Sequence, residues 1–186
     1  VCILLGNPSQ EERRIILLAE TGTGNHFIIK LGWGVPAVEK ISREQKFLEM
    51  NAGRNAVIPS PIKVWQEDQW AAFAIPYFDA PGDVPFEKIC EVLKSWCLDS
   101  PAVKLSSLDE WVGVVSRIPD KKERECLINR SAGLEIKKSL AHRDFTPWNV
   151  LSSKNGDISV IVWEFGREEG VPGWDLVHYL FLSAHL

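Results

Sequence analysis

The chain has 186 residues, enough to bury a substantial core as one large domain or two small lobes. Hydrophobic content of 45% beside 25% charged residues is that of an ordinary soluble globular protein, and a net charge of −4 argues against nucleic acid as a partner. No apolar run approaches the roughly 20 residues that span a bilayer, so no membrane partner is expected.

The opening VCILLG is too short for a signal peptide and lacks its basic flank, so a cytoplasmic location is expected. Cys2, Cys90, Cys97 and Cys126 form no CxxC pair and are read as reduced thiols; Cys90 and Cys97, seven apart, would share one helix face and serve packing. Cys2 to Gly6 and Arg13 to Glu20 read as strands separated by the polar loop NPSQEE. TGTG (Thr21 to Gly24) turns the chain into a third strand, Asn25 to Gly32. Pro36 to Met50 reads as a helix, with Pro36 in its first turn and Gly53 just past its end. Further strands are predicted at Ile62 to Gln66 and Trp70 to Tyr77. After Asp79-Ala-Pro-Gly-Asp83 the pattern turns helical: Phe86 to Leu98, Leu108 to Ser116 and Lys121 to Ser131. NVLSS and ISVIVWEFG then form a hairpin turned by Asn155-Gly156-Asp157, and Trp174 to Leu186 begins a last helix. The order predicts an α+β chain, with a strand-rich lobe over 1–78 and a mostly helical lobe over 79–186. A start at Val1 without methionine and a stop at Leu186 within a helical pattern read as cut ends, leaving the second lobe incomplete.

The most informative stretch is AHRDFTPWNV, Ala141 to Val150, where His142, Arg143, Asp144 and Asn149 are interleaved with Phe145, Pro147 and Trp148. Taken alone, it fits equally well a capped turn in which Asp144 and Asn149 bond only backbone. Read with VIVWEFG and GVPGWDL downstream, it resembles the aminoglycoside phosphotransferase and choline kinase superfamily. The shared pattern is HxDxxxxN, followed by a hairpin and GxPxWDL, although Arg143 stands where that branch usually has glycine.

The resemblance implies the two-lobed protein-kinase-like fold and transfer of the γ-phosphate of ATP or GTP, with Mg2+, to a hydroxyl of a small aminoglycoside-, choline- or amino-sugar-like acceptor. Such chemistry mainly positions reactants and neutralises charge. Asp144 fits the base that takes the acceptor proton, and the side-chain carbonyl of Asn149 fits a metal ligand, with the intervening rings as braces. His142 and Asp175 are implied to be structural, Asp175 by accepting backbone hydrogen bonds from the loop.

On the nucleotide side, Lys30 follows Gly24 too closely for TGTG to be the phosphate loop. The corresponding loop is Gly6 to Gln10, with Ser9 as a phosphate contact. Glu44 lies three residues after Ile41 and four before Leu48, on their inward stripe, and so needs a partner. Lys30 would serve while reaching the phosphates; Lys40, one turn earlier, is the competing surface partner. Ala74 to Phe78 would link the lobes, the backbone of Ile75 and Tyr77 meeting the adenine edge.

Val162 stands where the family's metal-binding aspartate belongs, and valine cannot ligate a metal. Glu164, two residues on, would share its face while the strand persists, but displaced by about 6–7 Å. Two expectations follow: a working phosphotransferase, or an impaired relative that binds nucleotide or a protein partner.

Overall fold

A computed structural model describes residues 2–5, 14–80 and 82–184, which divide into two compact units. The first comprises the chain up to Val84 together with Pro147–Phe165; the second comprises Pro85–Thr146 and Gly166–Leu186.

The first unit is built on a five-stranded antiparallel sheet of order β1-β2-β3-β5-β4. Its strands are β1 (Cys2–Leu5), β2 (Arg14–Glu20), β3 (His26–Trp33), β4 (Lys63–Gln66) and β5 (Trp70–Pro76). TGTG is the β2–β3 turn: Gly24, at φ +83°, donates its N–H to Thr21 O at 3.0 Å, a conformation that a side chain would strain. α1 (Val35–Asn51) follows β3 directly, with proline in its first turn. It buries Ala37, Ile41, Glu44, Phe47 and Leu48, and packs on β3 and β5. The approach is close at Gly32, where an added Cβ would stand 2.6 Å from Ala37 O and 2.9 Å from Ile41 Cγ1.

The hairpin β9 (Val150–Ser152) and β10 (Ile158–Val160) completes this unit. Its turn is held by the Ser153 hydroxyl, which accepts N–H bonds from Asn155 and Asp157 at 3.2 and 3.1 Å. The second strand stops at Val160 and does not run on to Gly166. Val162 adopts φ 67°, and Trp163 sends its N–H to Glu44 instead of a ladder partner. The Trp163 ring is fully buried, stacked on Phe47 at 4.9 Å and 16°.

The second unit holds α2 (Phe86–Ser95), β6 (Val103–Lys104), α3 (Asp109–Ser116), α4 (Lys121–Ser131), β7 (Glu135–Ile136), β8 (Ser139–Ala141), β11 (Arg167–Gly170) and α5 (Trp174–Ser183). β6 pairs with β7 and β8 with β11, both antiparallel. α2 ends earlier than its pattern predicts, because Trp96 O accepts Leu140 N–H at 3.0 Å and Cys97 bridges to Ser139. Cys97 is therefore exposed and outside the helix, so it does not share a packed face with Cys90. Trp96 and Phe145 meet edge-to-face at 5.3 Å, with Tyr179 5.6 Å from Phe145. A second cluster gathers Leu105, Leu108 and Val171 with Trp111 and Trp174. Among the described residues, no helix is long and apolar enough to cross a membrane.

Candidate functional site

In the first unit, β3 and α1 bring Lys30 and Glu44 together. Lys30 sits between Ile16 and Phe73 in the sheet, and its Nζ lies 2.6 Å from Glu44 Oε1. The two residues are only 5% and 1% exposed, so each charge depends on the other. Trp163 N–H donates to the same Oε1 at 2.9 Å, which ties the end of the hairpin to the pair. Lys40 instead stands 5.7 Å over the Phe165 ring. A lysine ammonium has three donors, and Glu44 takes one of them.

Asn149 is buried in this unit, and its backbone carbonyl accepts Ile161 N–H at 2.9 Å. Ile75 is buried in β5 opposite Ile28, and Tyr77 donates its N–H to His26 O at 3.2 Å. Ser9 and its loop lie outside the described residues.

In the second unit, the loop after β8 is held from α5. Asp175 accepts the N–H groups of His142 at 2.7 Å and Arg143 at 2.8 Å, one on each carboxylate oxygen. His142, fully buried, accepts Asp144 N–H on Nδ1 at 3.2 Å, so its ring proton sits on Nε2. Burial raises the Asp175 carboxyl above its ordinary range, and the two N–H bonds partly offset this. Arg143 holds φ 68°, with its Nε 3.3 Å from Glu110 Oε1. Glu110 also accepts Val171 N–H on Oε2 at 2.8 Å, and so joins α3 to both the loop and the approach to α5. The sequence carries no signal for Glu110, which reads as an ordinary acidic helix start. Phe145 is fully buried, but Trp148 is 54% exposed, so its ring does not brace the loop.

Among the described residues, the positions expected to ligate the metal do not make an ordinary Mg2+ site, which uses one or two carboxylates. Val162 offers none. Glu164 is held in an ion pair with Arg14, whose Nη1 lies 2.6 Å from Oε2 and whose Nη2 donates to Oε1 at 3.2 Å. This fork was not legible beforehand, since Arg14 reads only as the polar start of an apolar strand. Among the described residues no group of three or more His, Cys, Asp or Glu side chains is placed to hold a metal.

No protein-family profile and no curated protein sequence matches the chain. Solved structures do match. All of the chain aligns with 74% of a thermostable mutant of aminoglycoside phosphotransferase APH(4)-Ia in its apo form, at 13% identity and a TM-score of 0.65. Of macrolide 2′-phosphotransferase MphH from Brachybacterium faecium, 71% aligns with 97% of the chain, at 14% identity and a TM-score of 0.63. Amicoumacin kinase hAmiN, in complex with AMP-PNP, Ca2+ and Ami, aligns over 63% of its length with 97% of the chain, at 9% identity and 0.58. At these identities the likeness is one of fold: the chain has the two-lobed, kinase-like α+β fold of these phosphotransferases.

Proposed function

We propose that the chain is a kinase-like phosphotransferase domain that moves the γ-phosphate of ATP or GTP to a hydroxyl of a small aminoglycoside-, choline- or amino-sugar-like molecule. The observation that carries this reading is the buried Lys30–Glu44 pair at 2.6 Å, clamped by Trp163 N–H. An internal carboxylate that fixes a lysine ammonium with donors to spare suits a group of high negative charge, such as a nucleotide phosphate. The fold agrees: an APH(4)-Ia mutant carries AMP-PNP and hygromycin B, and hAmiN carries AMP-PNP and Ami.

In this mechanism Lys30 neutralises the phosphate oxygens and Glu44 sets its direction. The acceptor oxygen attacks the γ-phosphorus, the bond to the bridging β–γ oxygen breaks, and the acceptor proton passes to Asp144. His142 and Asp175 act on the loop backbone and not on substrate. Ser9 and the backbone of Ile75 and Tyr77 are assigned to the nucleotide. Asn149 is assigned to the metal side of the site, where its amide oxygen would be a ligand if a carboxylate at position 162 completed the set. A nucleoside triphosphate donor suits a cytoplasmic location.

A second reading, a nucleotide- or protein-binding module with little turnover, is favoured by Val162 and by the Arg14–Glu164 fork. Calorimetric binding of AMP-PNP with and without Mg2+, beside turnover of wild type and Val162→Asp, separates the two. Magnesium-dependent binding that is lost in Lys30→Met, with wild-type turnover, supports the phosphotransferase. Binding indifferent to Mg2+, with turnover gained only in Val162→Asp, supports the module. Absence of nucleotide binding in folded protein overturns both nucleotide readings.

A further inference from the structure

Packing between α3 and α4 in the second unit is incomplete. Trp111, Val112 and Val115 of α3 and Ile128 of α4 wall a cavity of about 410 Å³. That volume falls within the roughly 300–1,000 Å³ of small-molecule sites. Its walls are apolar yet open to ligand, with Val112 51% and Ile128 46% exposed.

The polar groups of the cavity are specific. Ser116 and Ser131 donate their hydroxyls to carbonyls of their own helices, Gly113 O at 2.9 Å and Leu127 O at 2.8 Å. The cation is Arg124, half-buried, whose Nη1 donates to Ile118 O at 3.1 Å. Among the described residues this is the single hydrogen-bond partner of its side chain, the backbone N–H going to Asp120 O at 3.1 Å. A guanidinium has five donors in a planar fork, so the Nε–Nη2 edge is left for a planar, bidentate acceptor. Among the described residues no carboxylate lines the cavity. Two acids at the start of α4 have partners of their own: Asp120 caps the helix by accepting Glu123 N–H at 2.8 Å, and Glu125 pairs with Lys121 at 3.8 Å.

We propose that this cavity binds a small amphipathic carboxylate, its apolar body against Trp111, Val112, Val115 and Ile128 and its carboxylate on the Nε–Nη2 edge of Arg124. A carboxylate drawn into an apolar cleft needs a paired, hydrogen-bonded counter-ion, and the arginine supplies one already oriented by Ile118. An amine of the same length meets the wrong charge, and an alcohol forfeits the charge-assisted pair. The assignment is independent of the phosphoryl-transfer reading.

Titration calorimetry of the whole chain with decanoate, decanol and decylamine tests it, on wild type, Arg124→Gln and Ile128→Trp, with thermal unfolding to confirm that each variant is folded. Ile128 is partly exposed, so tryptophan there fills the cavity without entering the core. Decanoate is expected to bind wild type, to bind Arg124→Gln about tenfold more weakly or worse, and to lose binding to Ile128→Trp. Decanol should bind more weakly and ignore Arg124. The proposal is overturned if decanoate fails to bind folded wild type, binds Arg124→Gln equally well, or is matched by decylamine.

Discussion

A left-handed backbone is an unfavourable place for valine. At φ 67°, Val162 brings its Cβ against the following carbonyl, which costs about 1–2 kcal/mol for an ordinary L-residue and most for a β-branched one. Asparagine and aspartate tolerate this conformation because their short polar side chains bond locally. Val162 is only half-buried, so little apolar contact is lost on replacement. Val162→Asn should therefore raise the unfolding free energy by about 1 kcal/mol in urea titrations. Val162→Ile should give no gain, and a loss of stability in Val162→Asn would contradict the strain. By the same argument the backbone accepts an aspartate here, which makes Val162→Asp a fair test of function. Asp175 shows a second residue-scale effect. Burial, with Glu110 adding, holds its carboxyl above 3.8 against the His142 and Arg143 N–H groups and His178. The fold thus favours its protonated form, so this contribution to stability is full below 3.8 and is lost as pH rises through the raised value. The stability difference between wild type and Asp175→Asn should fall as pH rises above 3.8 and through the raised value; a flat or rising difference would refute the shift.

Between elements, α1 and β3 are joined by a charge pair and by a missing side chain. Glu44→Ala leaves Lys30 charged and buried, and should cost about 3–5 kcal/mol, with Glu44→Gln costing less because an acceptor remains. Gly32→Ala places a methyl 2.6 Å from Ala37 O, and should cost about 1–3 kcal/mol as the helix is pushed off the sheet. Urea midpoints check both, and a neutral Gly32→Ala would mean that the helix yields freely. These elements were readable in the sequence. The positions of Ile41, Glu44 and Leu48 marked the inward stripe of α1 before any contact was known, and a carboxylate on that stripe demanded a cation. The β9–β10 hairpin was equally legible from its turn residues. The pieces that sequence could not give are those whose form comes from elsewhere in the chain. β6, β7, β8 and β11 have two to four residues each, too short to display a period of two. The end of β10 is set by Glu44, which takes Trp163 N–H from 119 residues away. The grip of Glu110 on Arg143 and Val171 likewise follows from tertiary placement, with no local pattern to announce it.

At the scale of the whole chain, the first unit is discontinuous. Its sheet and α1 are complete by Val84, yet part of its core arrives only with Pro147–Phe165. Trp163 stacks on Phe47 and caps Glu44, and Val160 N–H reaches Val57 O at 2.8 Å. Removal of that segment deletes a fully buried tryptophan, a loss of about 3–5 kcal/mol by itself, and strips one partner from a buried carboxylate. Against a stability of about 5–15 kcal/mol for a native domain, that loss is decisive for a small sheet. Residues 1–84 alone should therefore show no cooperative unfolding transition by circular dichroism. The remedy is short, because Gly82 forms a β-bridge with Ser152, which brings the two segments together in space. Residues 1–84 joined to 147–165 by a flexible Gly/Ser linker should recover cooperative unfolding, and should lose it again with Trp163→Ala. Cooperative unfolding of 1–84 by itself would show that the hairpin is an attachment to this unit and not part of its core.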